Sequence, residues 1–253
     1  MIILPGVTAS KFPDPAPADP FASDTVFLMF IDSAAASGSR YSDAANSLTR
    51  FGGEPSIETA DPIDGSSVSM SAGTALRFEG DNAKGVNFSF TDTADISVNL
   101  DFTVELWMRT LAGYGTGDGL ISSSNSGDRR WLFFLRSATQ LDVFGDTNDL
   151  ILRNDSSTTG VNITDGLDHH IAWTRSGTTN TLWVDGTSVD THNDGGHNYS
   201  NGSSSEQNLY IGADAESLLV RTWANGLLDG VRITHAARYT SAFTPPTLPL
   251  PTP

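Results

Sequence analysis

The apolar residues of this chain fall into short runs separated by turn-forming residues. No long stretch repeats apolar residues at the spacing of an amphipathic helix, and Ser, Thr, Asn, Asp and Gly fill the intervals. Short apolar runs separated by turn-forming residues are typical of strands joined by turns. For a chain of 253 residues, the pattern predicts one all-β fold, an antiparallel β-sandwich or jelly roll.

The predicted strands are spread through the central part of the chain. The clearest, at 102–108, alternates apolar and polar residues. Asp185-Gly186 is the strongest two-residue hairpin signal, and residues 177–180 give a second hairpin connection. The predicted strands are 26–31, 75–78, 102–108, 131–135, 141–144, 171–174, 181–184, 187–189, 209–211 and 227–233.

The last of these strands carries an acidic residue among apolar ones. Regular alternation over residues 225–233 places Asp229 on the same face as Val231 and Ile233. A buried carboxylate is costly without compensation. We therefore expect hydrogen-bond donors, a cation or a metal beside Asp229.

The charge balance excludes one class of partner. The formal net charge is −16, with 30 acidic against 14 basic residues, and the Lys and Arg residues form no cluster. Because such a surface repels phosphate backbones, we expect no nucleic-acid binding. The absence of Cys excludes a disulfide framework. Neither the apolar run 26–31 nor residues 1–5 is long enough for a membrane span or a signal peptide, so we expect no membrane insertion.

Proline-rich segments flank the β-rich body. Four prolines lie between residues 13 and 20, and residues 243–253 have the same character. Proline favours extended backbone and cannot donate to a strand ladder. We therefore predict an extended N-terminal arm at 1–23, a sandwich body at 24–240 and a proline-rich C-terminal tail at 241–253.

An ordered set of phrases in the body resembles a known family. Taken together, they are similar to the laminin-G-like, concanavalin A-like jelly-roll domains over about residues 24–235. One departure is Asp168, which stands where that family usually has an aromatic residue. The phrases that carry the resemblance lie at 75–80, 101–107, 164–172, 182–186, 209–212 and 226–233.

The segment beyond this body resembles a more specific group. Residues 236–246 are similar to the ending of laminin-G-like domains in structural proteins of tailed bacteriophages, and residues 3–10 share the character of virion proteins. The resemblance implies a non-enzymatic protein of the virion surface, made in the cytoplasm of a bacterial host.

Two roles on a virion stay open. A capsid decoration or accessory subunit would contact other virion proteins through its arms. A tail fibre or spike adhesin would bind host-surface glycans through loops of the jelly roll. Homo-oligomeric assembly suits either role. The alternatives are a cellular carbohydrate-binding or adhesion module and, with less support, a glycoside hydrolase.

The sequence offers little for catalysis. Glycoside hydrolases of this superfamily take two carboxylates from alternating positions of one strand, whereas Glu105 stands alone in its strand. No nucleophile-elbow pattern accompanies His169 and His170, so we expect one of these rings in the core. His192 and His197 share a Gly-rich loop. Because no third metal ligand is evident, we expect this loop to be exposed, with transition-metal binding as the alternative.

Calcium is the metal that the resemblance implies. Related sandwiches bind a structural calcium through an Asp of the last strand, an acidic residue near the first strand and a backbone carbonyl. Carboxylate and carbonyl oxygens are the ligands that calcium prefers. The matching positions are Asp229, Asp32 at the end of the first core strand, and Gly80 or Asp81. Capping of Asp229 by backbone N–H groups or by Arg232 is the equal alternative.

A glycan-binding site would need exposed aromatic rings beside amide or carboxylate groups. Trp223, Tyr199 and Asn225 are the candidates for such a site, with Trp223 the best candidate for an exposed ring. Trp107, Trp173 and Trp183 lie in predicted strands, where core packing is the usual role of an aromatic residue.

Overall fold

The computed structural model describes the backbone of most of the chain. The described residues are 19–29, 47–52, 56–58, 75–79, 84–90, 101–110, 117–125, 128–145, 149–197, 199, 207–216, 219–222, 225–247 and 250. Within them, no helix is long and apolar enough to cross a membrane.

The described residues form one 3-10 turn, Ala22–Asp24, and a series of strands. The strands are β1 Thr25–Met29, β2 Ser47–Gly52, β3 Ser56–Glu58, β4 Ala75–Glu79, β5 Lys84–Phe90, β6 Phe102–Thr110, β7 Asp118–Asn125, β8 Asp128–Ser137, β9 Gln140–Phe144, β10 Leu150–Asp155, β11 His169–Ser176, β12 Thr179–Val184, β13 Thr187–Asn193, β14 Gln207–Ile211, β15 Ala213–Glu216, β16 Leu219–Thr222 and β17 Asn225–Thr234.

The strands pair into two sheets. The first sheet has the order β13-β12-β11-β6-β17-β4-β3, with β1 also paired to β17. The second has the order β10-β9-β8-β7-β14-β5-β2, with β15 and β16 beside β7. The pairing is antiparallel apart from one parallel register between β16 and β7. The predicted all-β, antiparallel sandwich is confirmed.

The core lies between the two sheets and is rich in aromatic rings. Alternate residues of β6 point into it, because successive side chains of a strand face opposite sides. Trp173 lies near its centre, with ring centroids 4.7 Å from Phe102 and 6.2 Å from both Trp131 and Phe133. These edge-on contacts are favourable for aromatic pairs and add to the burial of apolar surface.

β17 contains a bulge that changes its predicted alternation. Its register with β6 shifts between Asp229 and Arg232, where Gly230 adopts a φ of 56°. An extra residue on one strand reverses the side to which the following residues point. Gly suits this position because a positive φ is strained for other residues.

The bulge places Asp229 on the outer face of the first sheet. Asp229 is opposite Trp107, whereas Val231 and Ile233 lie in the core. The prediction that Asp229 shares the face of Val231 and Ile233 is therefore wrong. Asp229 is nevertheless buried, and one of its carboxylate oxygens accepts the Gly230 N–H at 2.6 Å.

The β12–β13 connection is the predicted two-residue hairpin turn. Asp185 and Gly186 have φ values of 51° and 77°. Positive φ at both positions is the geometry that Asp-Gly favours and that matches the twist of the flanking strands. The other predicted hairpin is also present, with β11 and β12 joined through Gly177 and Thr178.

The end of the predicted body and the described start of the predicted C-terminal tail lie on the outer face of the first sheet. We call residues 236–247 the tail segment. The Phe243 N–H donates to the Gly186 carbonyl at 3.1 Å, and the Trp107 indole N–H donates to the Pro246 carbonyl at 3.2 Å. Leu250 is also buried. The tail segment therefore covers sheet residues that would otherwise face solvent.

Candidate functional site

Two polar clusters can be weighed as functional sites. The first, which we call the buried charge cluster, consists of Asp19, Glu105, His170, Arg232, Arg238 and Tyr239. At its centre is Glu105, which is 0% exposed. Its carboxylate accepts hydrogen bonds from Arg232 Nε at 2.7 Å, Tyr239 Oη at 2.7 Å and His170 Nε2 at 2.9 Å.

The buried charge cluster also ties the two ends of the body together. The Arg238 guanidinium donates to both carboxylate oxygens of Asp19, and Arg232 Nη1 lies 3.3 Å from Asp19. Asp19 belongs to the predicted N-terminal arm, and Arg238 belongs to the tail segment. The cluster is therefore a set of contacts that fastens both terminal segments to the outer face of the first sheet.

This cluster is poorly suited to catalysis. Burial alone would raise the pKa of Glu105, but hydrogen bonding from His170 and the charge of Arg232 lower the pKa to about 2. Such a carboxylate stays ionised and cannot act as a general acid at neutral pH. The rings of Trp107, Tyr239 and Phe243 surround His170 and separate it from solvent.

A smaller set of contacts surrounds His169 at the start of β11. Its Nδ1 lies 2.7 Å from Asp185 and its Nε2 lies 3.0 Å from Asp165. Burial lowers the pKa of His169, but the hydrogen bonds and charges of Asp185 and Asp165 outweigh it and raise the pKa above 6.5. The protonated ring can donate to both carboxylates, so it links the β12–β13 turn to the segment before β11.

The second polar cluster lines a cleft where the edge strands of the two sheets meet. The backbone N–H of Arg153 in β10 donates to the Asp190 carboxylate of β13 at 2.8 Å, which joins the two edges. The cleft beside this junction has a volume of about 190 Å³. We call it the edge cleft; its lining residues are Gly145, Asp149, Leu150, Ile151, His192, Asp194, His197 and Tyr199.

Asp194 organises the loop that forms one side of the edge cleft. Its carboxylate accepts hydrogen bonds from Asn180 at 2.8 Å, the Gly196 N–H at 2.9 Å, the Tyr199 hydroxyl at 3.0 Å and Arg175 Nη2 at 3.3 Å. Burial raises the pKa of Asp194, but the hydrogen bonds from Asn180 and Gly196 and the Arg175 charge outweigh it and lower the pKa.

Arg175 supports this loop from inside the sandwich. Its side chain is buried, Nε lies 2.9 Å from Asp194, and the guanidinium carbon lies 5.7 Å from the centre of the Tyr199 ring. Nη1 has no hydrogen-bond partner among the described residues. A buried guanidinium is tolerated only when its charge is compensated, so Asp194 is required where it stands.

Some of the other lining groups of the edge cleft are open to solvent. His192 is exposed, His197 and Ile151 are half-buried, and Leu150 is 43% exposed. Imidazoles donate and accept hydrogen bonds, and an exposed aliphatic side chain offers an apolar surface. This combination can bind a small polar ring that has an apolar face.

The structure places the predicted glycan-binding residues in different environments. Tyr199 is 1% exposed and packs against Phe102 and Trp173, so its ring is not an exposed stacking surface. Its hydroxyl nonetheless lies at the edge cleft. Asn225 begins β17, and Trp223 lies outside the described residues. Trp107, Trp173 and Trp183 are buried, the first and third of them near the tail segment.

The predicted calcium ligands are only partly described. Asp229 is buried on β17, whereas Asp32 and Asp81 lie outside the described residues. Among the described residues, no three His, Asp or Glu side chains are grouped so that they could hold a metal ion. His192 and His197 are not members of such a group within the described part of the chain.

Sequence reasoning missed half of the edge cleft. The sequence draws attention to His192 and His197 in their Gly-rich loop. The opposite side of the cleft, with Asp149, Leu150 and Ile151, comes from the β9–β10 hairpin. No local signal connects these two segments, because their proximity follows from the pairing order of both sheets. An exposed Leu next to an Asp at the start of β10 is the weak signal that the sequence contains.

Comparison with protein families identifies one match. The sequence model of a laminin-G-type family, described as the concanavalin A-like lectin/glucanases superfamily, matches residues 70–241. No curated protein matches the chain.

Several solved structures share the fold at low sequence identity. The binding domain of Paraclostridial mosquitocidal protein 1 has a TM-score of 0.61 at 14% identity, covering 86% of this chain and 50% of that one. The binding domain of botulinum neurotoxin DC in complex with SialylT has a TM-score of 0.56 at 13% identity, with coverage of 86% and 49%. This chain thus spans about half the length of these toxin domains.

A third solved structure is matched by this chain over most of its own length. Domain 4 of AbnA, a GH43 extracellular arabinanase from Geobacillus stearothermophilus, was solved in complex with arabinotriose. It has a TM-score of 0.51 at 15% identity, covering 75% of this chain and 82% of that domain. At this level of identity, the likeness shows a shared fold.

Proposed function

Because this chain belongs to the concanavalin A-like lectin/glucanases superfamily, we propose that it is a non-catalytic glycan-binding module that acts at the surface of a virion. The edge cleft is the proposed binding site. Host-surface glycans are the proposed ligands, and other virion proteins are the proposed partners of the terminal arms.

The observation that carries this proposal is the difference between the two polar clusters. Glu105 is buried and occupied by three donors, whereas His192 and Leu150 of the edge cleft are exposed. A binding site needs a concave surface with convergent polar groups, and the edge cleft has both.

The similar structures support a binding function without specifying a ligand. AbnA domain 4 was solved with arabinotriose, and a botulinum neurotoxin DC binding domain with SialylT. The former is the more relevant comparison, because this chain covers 82% of that domain but 49% of the toxin domain.

The virion placement is supported by the resemblance of residues 236–246 to phage structural proteins. The same residues also make contacts within the protein, which is a second reason for their composition. Arg238 and Tyr239 bind the buried charge cluster, and Phe243 packs on Trp183. The tail fibre or spike role is favoured over capsid decoration by the exposed edge cleft, since decoration alone does not require a ligand site.

A glycan array with the full chain tests the binding function. We expect binding that Leu150→Ser weakens and Leu167→Ser leaves unchanged. Both leucines are exposed, at 43% and 62%, but only Leu150 lines the edge cleft. Failure to bind any glycan contradicts the proposal, and release of reducing sugar from a polysaccharide would show an enzyme instead. Labelling the protein on purified particles tests the virion placement.

A further inference from the structure

We infer that the edge cleft takes a single uncharged sugar residue at the end of a glycan and rejects acidic sugars. This inference rests on the proposed glycan-binding function and specifies its ligand class. It follows from three properties of the cleft, namely which polar groups remain available, how large the cleft is and which charges line it.

The carboxylate of Asp194 is not available to a ligand. A carboxylate has about four lone-pair sites, and Asp194 already accepts from four protein donors. The Tyr199 hydroxyl is likewise engaged with Asp194. These two residues therefore position the loop, and ligand contacts are left to the groups that face outward.

Those groups suit a sugar ring. The exposed His192 imidazole can exchange hydrogen bonds with hydroxyl groups, and His197 lines the cleft beside it. Leu150 and Ile151, on the opposite hairpin, provide an aliphatic surface for the C–H face of the ring. A ligand with hydroxyls on its rim and an apolar face matches this arrangement of polar and apolar walls.

The volume of the cleft limits the ligand to one ring. Sites for drug-sized ligands enclose about 300–1,000 Å³, whereas the edge cleft has about 190 Å³. A single monosaccharide fits this space better than an internal stretch of oligosaccharide does. The terminal residue of a chain or branch is therefore the expected occupant.

The charges around the cleft disfavour acidic sugars. None of its described lining residues is Lys or Arg. The cation beneath it, Arg175, is already compensated by Asp194 at 2.9 Å. Asp149 adds a carboxylate to the lining, and the whole chain has a formal net charge of −16. A carboxylate or sulfate entering the cleft would lose water without gaining a Lys or Arg partner from the described lining.

A matched glycan array tests this inference. Galactose-, glucose-, N-acetylglucosamine- and arabinose-terminated oligosaccharides are displayed with and without a sialic acid, uronic acid or sulfate cap. We expect at least one uncapped glycan to bind, and its capped forms to bind at least about tenfold more weakly, equivalent to about 1.4 kcal/mol. His192→Ala and Leu150→Ser should each weaken the uncapped interaction severalfold, and Leu167→Ser should not.

The outcomes separate this inference from the proposed function. Equal or tighter binding of capped glycans overturns the ligand class but leaves a glycan-binding module. Binding of uncapped glycans that is insensitive to both His192→Ala and Leu150→Ser overturns the edge cleft as the site. Absence of binding to every glycan overturns the inference and the proposed function together.

Discussion

The buried charge cluster and the edge cleft use similar residues but differ in what their polar groups contact. In the buried charge cluster, the carboxylates accept from side chains of the same chain, and the tail segment closes the face above them. In the edge cleft, Asp194 is satisfied in the same way, yet His192 and Leu150 remain exposed. A concentration of charged and aromatic residues therefore indicates a ligand site only where some groups stay accessible.

The largest expected effect comes from neutralising the centre of the buried charge cluster. Glu105→Gln leaves Arg232 buried without its main partner, and breaking one half of such a pair costs about 3–5 kcal/mol. Urea denaturation should show this loss, while glycan binding by the folded protein stays unchanged. Asp24→Asn is the control, with a change within about 0.5 kcal/mol. A stable Glu105→Gln protein that loses glycan binding would move the site to this cluster.

A second prediction concerns calcium binding at Asp229, on the outer face of the first sheet. If calcium binds at Asp229 as the family resemblance implies, a free concentration of ten times Kd stabilises the fold by about 1.4 kcal/mol. Thermal unfolding with calcium and with a chelator measures this, and Asp229→Ala should remove the difference. No shift on chelation, together with an unaffected Asp229→Ala protein, would leave partners within the protein, the Gly230 N–H among them, as the explanation for a buried Asp229.

A smaller effect is expected from pH at His169. Because its pKa is raised in the folded state, its stabilising contribution is complete below pH 6.5 and is lost as the pH rises through the folded value. The melting temperature should therefore fall as the pH is raised above about 6.5. Asp165→Asn removes one carboxylate and should reduce this fall. An identical pH dependence in both proteins would contradict the double hydrogen bond.

Much of the fold was predictable because its determinants are local. The Asp185-Gly186 turn requires positive φ, and β6 alternates regularly, so both could be read from neighbouring residues. β7 was not predictable in this way, because it contains three consecutive serines and its pairing depends on its neighbours in the sheet.

The errors have a physical cause that single-sequence reasoning does not capture. Gly230 permits a bulge, but nothing near it indicates that the strand takes one, so Asp229 was assigned to the wrong face. The partners of Glu105 include Tyr239, far along the chain, and the edge cleft joins segments of two hairpins. Contacts of this kind follow from tertiary packing rather than from local pattern.

The most direct test follows the five imidazoles of the chain by NMR during titration with an uncapped glycan selected from the array. We expect the His192 and His197 resonances to shift with a common saturation curve, while His170, enclosed in the buried charge cluster, does not respond. Saturable shifts at His170 with none at His192 and His197 would contradict it, because the ligand would then lie at the cluster assigned to structure.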